Sequence, residues 1–217
     1  VKVWEVTDKD SGEHIGLWYL DPFSRQGKRS GAWATTYRSY TTFDGKKTVL
    51  SSNNSNFVKG ADGEATLISW DDAETYFHEF GHAIHEMISA SNLSELSGFN
   101  VEWDFVELPS QLLENWVSDR PSLEKLAKHY ETGENIPENI LNTLDDLETY
   151  MSGYWVLGQN TYALLDMHLY AEEIPENIEA LDKKTLDIVN KYWINKRDSD
   201  YKMYCAFWHI FWGWYAA

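Results

Sequence analysis

Residues 74–87, ETYFHEFGHAIHEM, place three histidines and three glutamates in a stretch whose apolar residues are spaced as in a buried helix. Burying so many titratable groups is costly unless other groups pair with them. Ser69 and Asp72, just before this stretch, are spaced as in a capping box, which predicts a helix from about Trp70 to Ser89. The sequence therefore predicts a helix that carries acids and imidazoles in need of partners.

His78 and His82 are four residues apart, so both side chains project from one face of the predicted helix. Two imidazoles at this spacing can bind one zinc ion, and Glu79 then flanks the metal without being forced to ligate it. This is the HExxH pattern of zinc metalloproteases, in which the carboxylate acts as general base towards a water made acidic by zinc. The alternative interpretation is a pair of partly exposed helix histidines.

A catalytic zinc site also needs a third protein ligand and an open fourth position. The acids that follow the predicted helix are the candidates for this ligand: Glu95, Glu102, Asp104, Glu107 and Glu114. The HExxH spacing alone does not choose among them.

The first sixty residues carry the pattern of β-strands. Two apolar runs, VKVWEV and IGLWYL, flank a turn rich in Gly, Asp and Ser and predict a hairpin. AWATTYRSY and KKTVLSS predict two more strands around an Asp-Gly turn signal. NNSNFVKGADGEA, residues 53–65, is interpreted as a loop.

From residue 67 onward the pattern is helical. Residues 101–118 predict a helix interrupted near Pro109, and residues 122–133 predict one that ends at Gly133. Further helices are predicted at residues 136–150, 152–173 and 174–193, the first and last of them with a proline in the first turn.

These elements indicate an α+β, mainly helical fold. We expect one domain over residues 1–217, with a β-rich part at 1–66 and a helical part with the metal site at 67–217. A small, antiparallel-rich sheet at the N-terminus would pack on the helical body.

The composition argues against several classes of function. The chain has 18 Lys and Arg against 35 Asp and Glu, a net charge of −17. Such an acidic chain is unsuited to nucleic acid or an anionic membrane, because both attract Lys and Arg. No apolar run approaches the roughly 18 residues of a membrane span, and residues 1–10 show no signal-peptide pattern. Cys205 is the single cysteine, which fits a reducing, cytoplasmic location.

LISWDDAETYFHEFGHAIH, followed by GFNVEWDFVELPSQLLENW, resembles the thimet oligopeptidase and peptidyl-dipeptidase family of zinc peptidases. KRSGAW and ISWDD resemble its bacterial peptidyl-dipeptidase branch most. The resemblance implies a zincin-like fold, one zinc ion per chain, and short peptides as substrates. It also implies that Glu107, which follows His82 by 25 residues, is the third zinc ligand.

The resemblance extends to the end of the sequence. It implies that His209 and Tyr215 bind the substrate or the oxyanion that develops during hydrolysis. The alternative for His209 is an imidazole packed in an aromatic cluster. Trp208, Trp212 and Trp214 depart from the family, whose loop at this point is rich in small residues.

Residues near the ligands are candidates for orienting them. Glu74 precedes His78 by four residues and could accept the free ring N–H of that histidine. Asp104 and Gln111 flank Glu107 at helical spacing, as does Ser110. Each of them could instead have a plain helix-surface role.

His85 lies on the same stripe of the predicted helix as His78 and His82. We interpret it as a hydrogen-bonded helix histidine and not as a metal ligand.

Two functions from different classes remain. The first is a zinc metallopeptidase that hydrolyses short peptides, with Glu79 as general base and then general acid. The second is a truncated or engineered core that binds zinc, and could bind peptide, with little or no catalysis. The resemblance motivates the second, since it implies that the family's N-terminal helical half and C-terminal end are absent from these 217 residues. The oligomeric state is left open.

Overall fold

The computed structural model describes residues 1–43, 45, 48–206 and 210. Its strands are β1 (Lys2–Thr7), β2 (His14–Phe23), β3 (Trp33–Arg38) and β4 (Val49–Phe57). Its helices are α1 (Trp70–Ile88), α2 (Leu108–Ser118), α3 (Arg120–Leu126), α4 (Glu138–Thr149), α5 (Ser152–Ala171), α6 (Ile178–Tyr192) and α7 (Met203–Ala206). The fold is therefore α+β, as the sequence predicts.

The four strands form one sheet in the order β1-β2-β4-β3. β1 and β2 pair antiparallel, which confirms the predicted hairpin, and β3 pairs antiparallel with β4. β2 and β4 pair in parallel, with Gly16 opposite Val49. The sheet is mixed, and two of its three strand pairs are antiparallel.

The interpretation of residues 53–65 as a loop is wrong at its start, because β4 continues to Phe57. The error arises because Asn and Ser disfavour strands. In the structure β4 lies between two neighbouring strands, and its residues Asn53, Asn54 and Ser55 are buried, with Asn53 1% exposed. Its side-chain amide is hydrogen-bonded on both sides, so burial leaves its polar atoms satisfied.

α1 begins and ends close to the prediction. The Ser69 hydroxyl accepts from the backbone N–H of Asp72, and the Asp72 carboxylate accepts from the backbone N–H of Ser69. This reciprocal capping box satisfies two N–H groups that the first turn leaves without helical partners.

One face of α1 packs on the sheet. The Trp18 ring of β2 lies 4.7 Å from the Phe80 ring, centroid to centroid. Around this pair is an apolar cluster of residues from the sheet and from α1: Leu20, Val49, Tyr76, Ala83, Ile84 and Met87. Burying each large side chain contributes about 1.5–3 kcal/mol. This packing turns His78 and His82 away from the sheet.

Among the helix boundaries, two differ most from the sequence predictions. The helix predicted over residues 101–118 begins only at Leu108. Pro109 lies in its first turn, where backbone N–H groups make no hydrogen bond within the helix, so the N–H that proline lacks is not needed there. The helix predicted to end at Gly133 ends at Leu126. After it the chain turns back through a bridge between Lys128 and Asn135, and Gly133 adopts a φ of +72° in that turn.

The chain divides into two compact units, Val1–Leu141 and a second unit that begins at Asn142. In the second unit α5 pairs with α6 around Leu165 and Val189, which are almost fully buried. The single domain over residues 1–217 stays a prediction. None of the helices in the described part of the chain is long and apolar enough to cross a membrane.

Candidate metal centre

Three predicted ligands meet on the side of α1 that faces α2. Oε2 of Glu107 lies 3.2 Å from Nε2 of His78 and 3.0 Å from Nε2 of His82. The three ligand atoms lie within 4.8 Å of one another. The two imidazole rings are almost perpendicular, at 86°. The structure therefore brings together the three residues that the sequence assigns to the metal.

Glu107 reaches the histidines because it is not inside a helix. It is the residue that precedes α2, and its side chain makes no capping hydrogen bond to that helix. The carboxylate points instead at the two histidines of α1. The buried hydroxyl of Ser110 lies 2.6 Å from Oε2 and 2.9 Å from the backbone carbonyl of Glu107, so it can donate to either oxygen. Ser110 therefore supports the carboxylate from within the first turn of α2.

Gly81 allows α2 to approach α1 at this point. A Cβ atom at position 81 would lie 2.6 Å from the backbone carbonyl oxygen of Pro109 and 2.6 Å from Cα of Ser110. Distances below 3.0 Å to backbone atoms are not tolerated without a shift. The close packing of the two helices thus requires the glycine of HEFGH. Gly81 contacts Ser110, and Ser110 hydrogen-bonds the carboxylate of Glu107.

Nδ1 of His78 is held by Glu114, whose Oε1 lies 2.5 Å away. The prediction that Glu74 accepts this proton is wrong: Glu74 is exposed, and Glu114 takes the position. Glu114 follows Glu107 by seven residues, about two helical turns, and both carboxylates contact His78. That spacing is the signal by which the sequence could have assigned Glu114 to this role.

The two carboxylates control the charge of His78. Burial lowers the pKa of His78, but hydrogen bonds to Glu107 and Glu114 outweigh it and raise that pKa to about 9. In the metal-free protein the ring is therefore a cation that donates from both nitrogens. A metal ion at Nε2 would take the place of one of these protons.

Glu79 is 7% exposed and lies beside the two histidines. Burial raises the pKa of Glu79, and Glu107 adds to this, while His78 and His82 act in the opposite direction. A carboxylate with a raised pKa next to a metal site is suited both to take up and to return a proton.

The backbone of Glu79 is fixed from the sheet. Nδ2 of Asn53 donates to the Glu79 carbonyl oxygen at 2.5 Å, and Oδ1 of Asn53 accepts from Nε1 of Trp18 at 2.7 Å. This chain of hydrogen bonds ties the HEFGH turn of α1 to β4 and β2. Sequence reasoning missed Asn53, because it placed that residue in a loop.

The donor set fits a divalent transition metal. Two imidazole nitrogens and one carboxylate oxygen are the protein donors found in one class of catalytic zinc sites. Oε2 of Glu107 already stands between the two Nε2 atoms, so the three donors face a common point. His78, His82 and Glu107 could thus hold the ion.

Other predicted residues lie elsewhere. Asp104 and Gln111 are exposed, and their orienting role stays a prediction. Ser110, also a candidate, contacts the Glu107 carboxylate, and Glu114 contacts His78. His85 packs its ring near Phe105 and is not one of the three residues grouped as potential metal ligands. His209 and Tyr215 lie outside the described residues.

Comparisons with known proteins show the family to which the chain belongs. The model of peptidase family M3 matches residues 1–217. Over 224 residues the chain is 34% identical to the organellar oligopeptidase A of Arabidopsis thaliana, an alignment that covers 100% of this chain and 28% of that protein. It is 36% identical over 178 residues to the dipeptidyl carboxypeptidase of Salmonella typhimurium, covering 81% of this chain and 26% of that one.

Oligopeptidase A of Escherichia coli is 33% identical over 220 residues, covering 100% of this chain and 32% of that protein. The chain thus spans between about a quarter and a third of the length of these relatives. The match over the full 217 residues confirms the family to which the sequence motifs point. The chain belongs to peptidase family M3.

Proposed function

We propose that this chain is the catalytic core of a zinc metallopeptidase that hydrolyses peptide bonds in short peptides. The observation that carries the proposal is the position of Oε2 of Glu107, 3.2 and 3.0 Å from the Nε2 atoms of His78 and His82. The names of the relatives, oligopeptidase A and dipeptidyl carboxypeptidase, support short peptides as the substrate class. One zinc ion would be held per chain, by His78, His82 and Glu107.

When bound, zinc supplies the Lewis acidity that makes a water molecule acidic enough to lose a proton near pH 7. The Glu79 carboxylate accepts that proton as the water oxygen attacks the peptide carbonyl carbon. Glu79 then donates the proton to the amine nitrogen of the leaving product, and the C–N bond breaks. The raised pKa of Glu79 suits both halves of this transfer.

The hydrogen bonds around the site hold the reacting groups in place. Glu114 fixes the ring of His78, Ser110 fixes the carboxylate of Glu107, and Asn53 fixes the backbone at Glu79. On the family resemblance we also propose that His209 and Tyr215 bind the substrate or its oxyanion. A cytoplasmic location stays a prediction.

Glu79→Gln tests the proposal. The amide cannot take up the proton, so we expect cleavage of an internally quenched fluorescent peptide to fall by about 10²–10⁴-fold. Zinc content, measured by elemental mass spectrometry, should stay at one ion per chain. Glu95→Gln, a change at an exposed acid outside the site, is the matched control and should keep full activity.

Full activity in Glu79→Gln would contradict the role of the carboxylate. One zinc ion per chain without any cleavage by the unmodified protein would instead support the second function, a core that binds zinc without turnover.

A further inference from the structure

The two metal-site histidines are oriented in different ways. Nδ1 of His78 is hydrogen-bonded to Glu114. Nδ1 of His82 is buried and has no hydrogen-bond partner among the described residues. Ligating histidines are usually oriented by a hydrogen bond at the nitrogen that does not bind the metal. Within the described part of the chain, the ring of His82 must therefore be fixed by packing.

Phe99 supplies this packing. The ring of Phe99 stands edge-on to the imidazole of His82, with centroids 5.5 Å apart and the planes at 89°. Such perpendicular contacts between aromatic rings are favourable and restrict ring rotation. His82 also meets the ring of His78, 5.0 Å away at 86°. The imidazole of His82 is thus in contact with two rings that are each nearly perpendicular to it.

The backbone of Phe99 is bound to α1 by Glu86. Oε2 of Glu86 accepts from the backbone N–H of Phe99 at 3.3 Å. The preceding residue, Gly98, donates its N–H to Oγ of Ser89 at 2.9 Å. Glu86 follows His82 by four residues, one helical turn further along α1. The helix that carries His82 therefore also fixes the loop residue that packs on it.

Gly98 shows how close this contact is. It has a φ of +58°, and a Cβ atom at this position would lie 1.5 Å from Oε2 of Glu86. The loop can pass over the carboxyl group of Glu86 only with a glycine there.

The carboxyl group of Glu86 is buried and faces the loop that carries Phe99. Glu86 is 1% exposed, and Oε1 has no hydrogen-bond partner among the described residues. Burying a carboxyl group with half of its acceptors unused costs free energy. Among the described residues, the backbone N–H that donates to Glu86 is that of Phe99, the residue that contacts His82.

We propose that Glu86 and Phe99 are positioning residues for His82, which together keep its imidazole turned so that Nε2 faces Glu107. This inference rests on the proposed zinc site and adds two residues to it. Glu86 acts through the backbone of Phe99, and Phe99 acts through its ring.

Phe99→Ala tests the ring contact. We expect the zinc dissociation constant, measured by competition with a chromophoric chelator, to rise about tenfold. The visible absorption bands of the Co²⁺-loaded protein should also change, because they report on the arrangement of the ligands. Phe99→Leu, which refills most of the volume, should recover part of the affinity. Phe105→Ala is the matched control. It removes another ring of the same loop, one that packs on His85.

Glu86 is tested with a pair of variants of similar size. Glu86→Gln keeps an oxygen that can accept from Phe99, whereas Glu86→Met removes it. We expect Glu86→Met to weaken zinc binding and alter the Co²⁺ bands as Phe99→Ala does, and Glu86→Gln to stay close to the unmodified protein. Circular dichroism of the metal-free variants checks that each is folded. If Glu86→Met does not fold, Ser89→Ala, which releases Gly98 from the same helix end, replaces it.

The inference is overturned if Phe99→Ala and Phe105→Ala give the same zinc affinity and the same Co²⁺ spectrum. It is also overturned for Glu86 if the Gln and Met variants behave alike. Failure of the proposed function has a different signature, because the unmodified protein would then bind no zinc or Glu79→Gln would remain active.

Discussion

Gly81 and Ser110 lie in backbone contact where α1 meets the start of α2. A Cβ atom at position 81 would be 2.6 Å from Cα of Ser110. Ser110 in turn hydrogen-bonds the carboxylate of Glu107. The separation of the two helices therefore sets the distance between Glu107 and the two histidines.

Gly81→Ala should force the start of α2 away from α1. Overpacking a tight contact costs about 1–3 kcal/mol of unfolding free energy, which urea denaturation measures. We also expect weaker zinc binding, since Glu107 moves with α2. Gly153→Ala in α5 is the control: nothing lies within 4 Å of its added Cβ, so stability should stay equal or rise. Equal stability of both variants would contradict the close contact.

Glu114→Gln should weaken zinc binding by about 10–100-fold, since it removes the charged acceptor that orients His78. Glu74→Gln is the matched control, because Glu74 lies on α1 one turn before His78 and makes no hydrogen bond to it among the described residues. Titration with a zinc chelator measures both variants. A larger loss in Glu74→Gln than in Glu114→Gln would reverse the assignment.

The stability of the metal-free protein should fall as the pH rises from about 6.5 to 9. The pKa of His78 is about 9 in the folded state, above the value of 6.5 for a free histidine. The folded state therefore holds the proton more tightly, and this stabilisation is complete below pH 6.5 and lost as the pH passes 9. One pKa unit corresponds to about 1.4 kcal/mol. With a quarter of the side chain exposed, we expect a decline of about 1–2 kcal/mol.

Urea unfolding at several pH values, in the presence of a chelator, measures this decline. Glu114→Gln removes one of the two hydrogen bonds that raise the pKa of His78, so its stability should depend less on pH. The same steep dependence in that variant would show that another group is responsible.

Asn53→Leu should destabilise the protein by about 1–3 kcal/mol, because it leaves the Glu79 carbonyl and the Trp18 N–H without their buried partner. Ser51→Ala, on the same strand, is the control. Oγ of Ser51 is buried and has no hydrogen-bond partner among the described residues, so its removal should change stability little. Thermal unfolding compares the two variants, and equal losses would argue against a specific role for Asn53.

The sequence was sufficient for those parts of the site that depend on local spacing. His78, His82 and Glu79 follow from the helical period of α1, and the capping box marks where that helix begins. The convergence of Glu107 on the two histidines was expected from the family resemblance. Periodicity had suggested a helix around Glu107, whereas the structure places it just before one.

Contacts between distant parts of the chain could not be read from spacing. Asn53 looks like a loop residue until β2 and β3 are placed on both sides of β4. Glu114 and Glu74 are both acids within reach of His78, and only the packing of α2 on α1 selects Glu114. In each case the deciding contact joins residues at least 26 positions apart.

The contact at Gly81 also concerns preorganisation. His82 and Glu107 are 25 residues apart, so an ion bound by both would close a long loop. In a flexible chain the entropy of closing that loop would oppose metal binding. Here the fold closes it without the ion, and the three donor atoms already lie within 4.8 Å of one another. Binding affinity is therefore not reduced by a folding step, and the metal is expected to enter a site that is already formed.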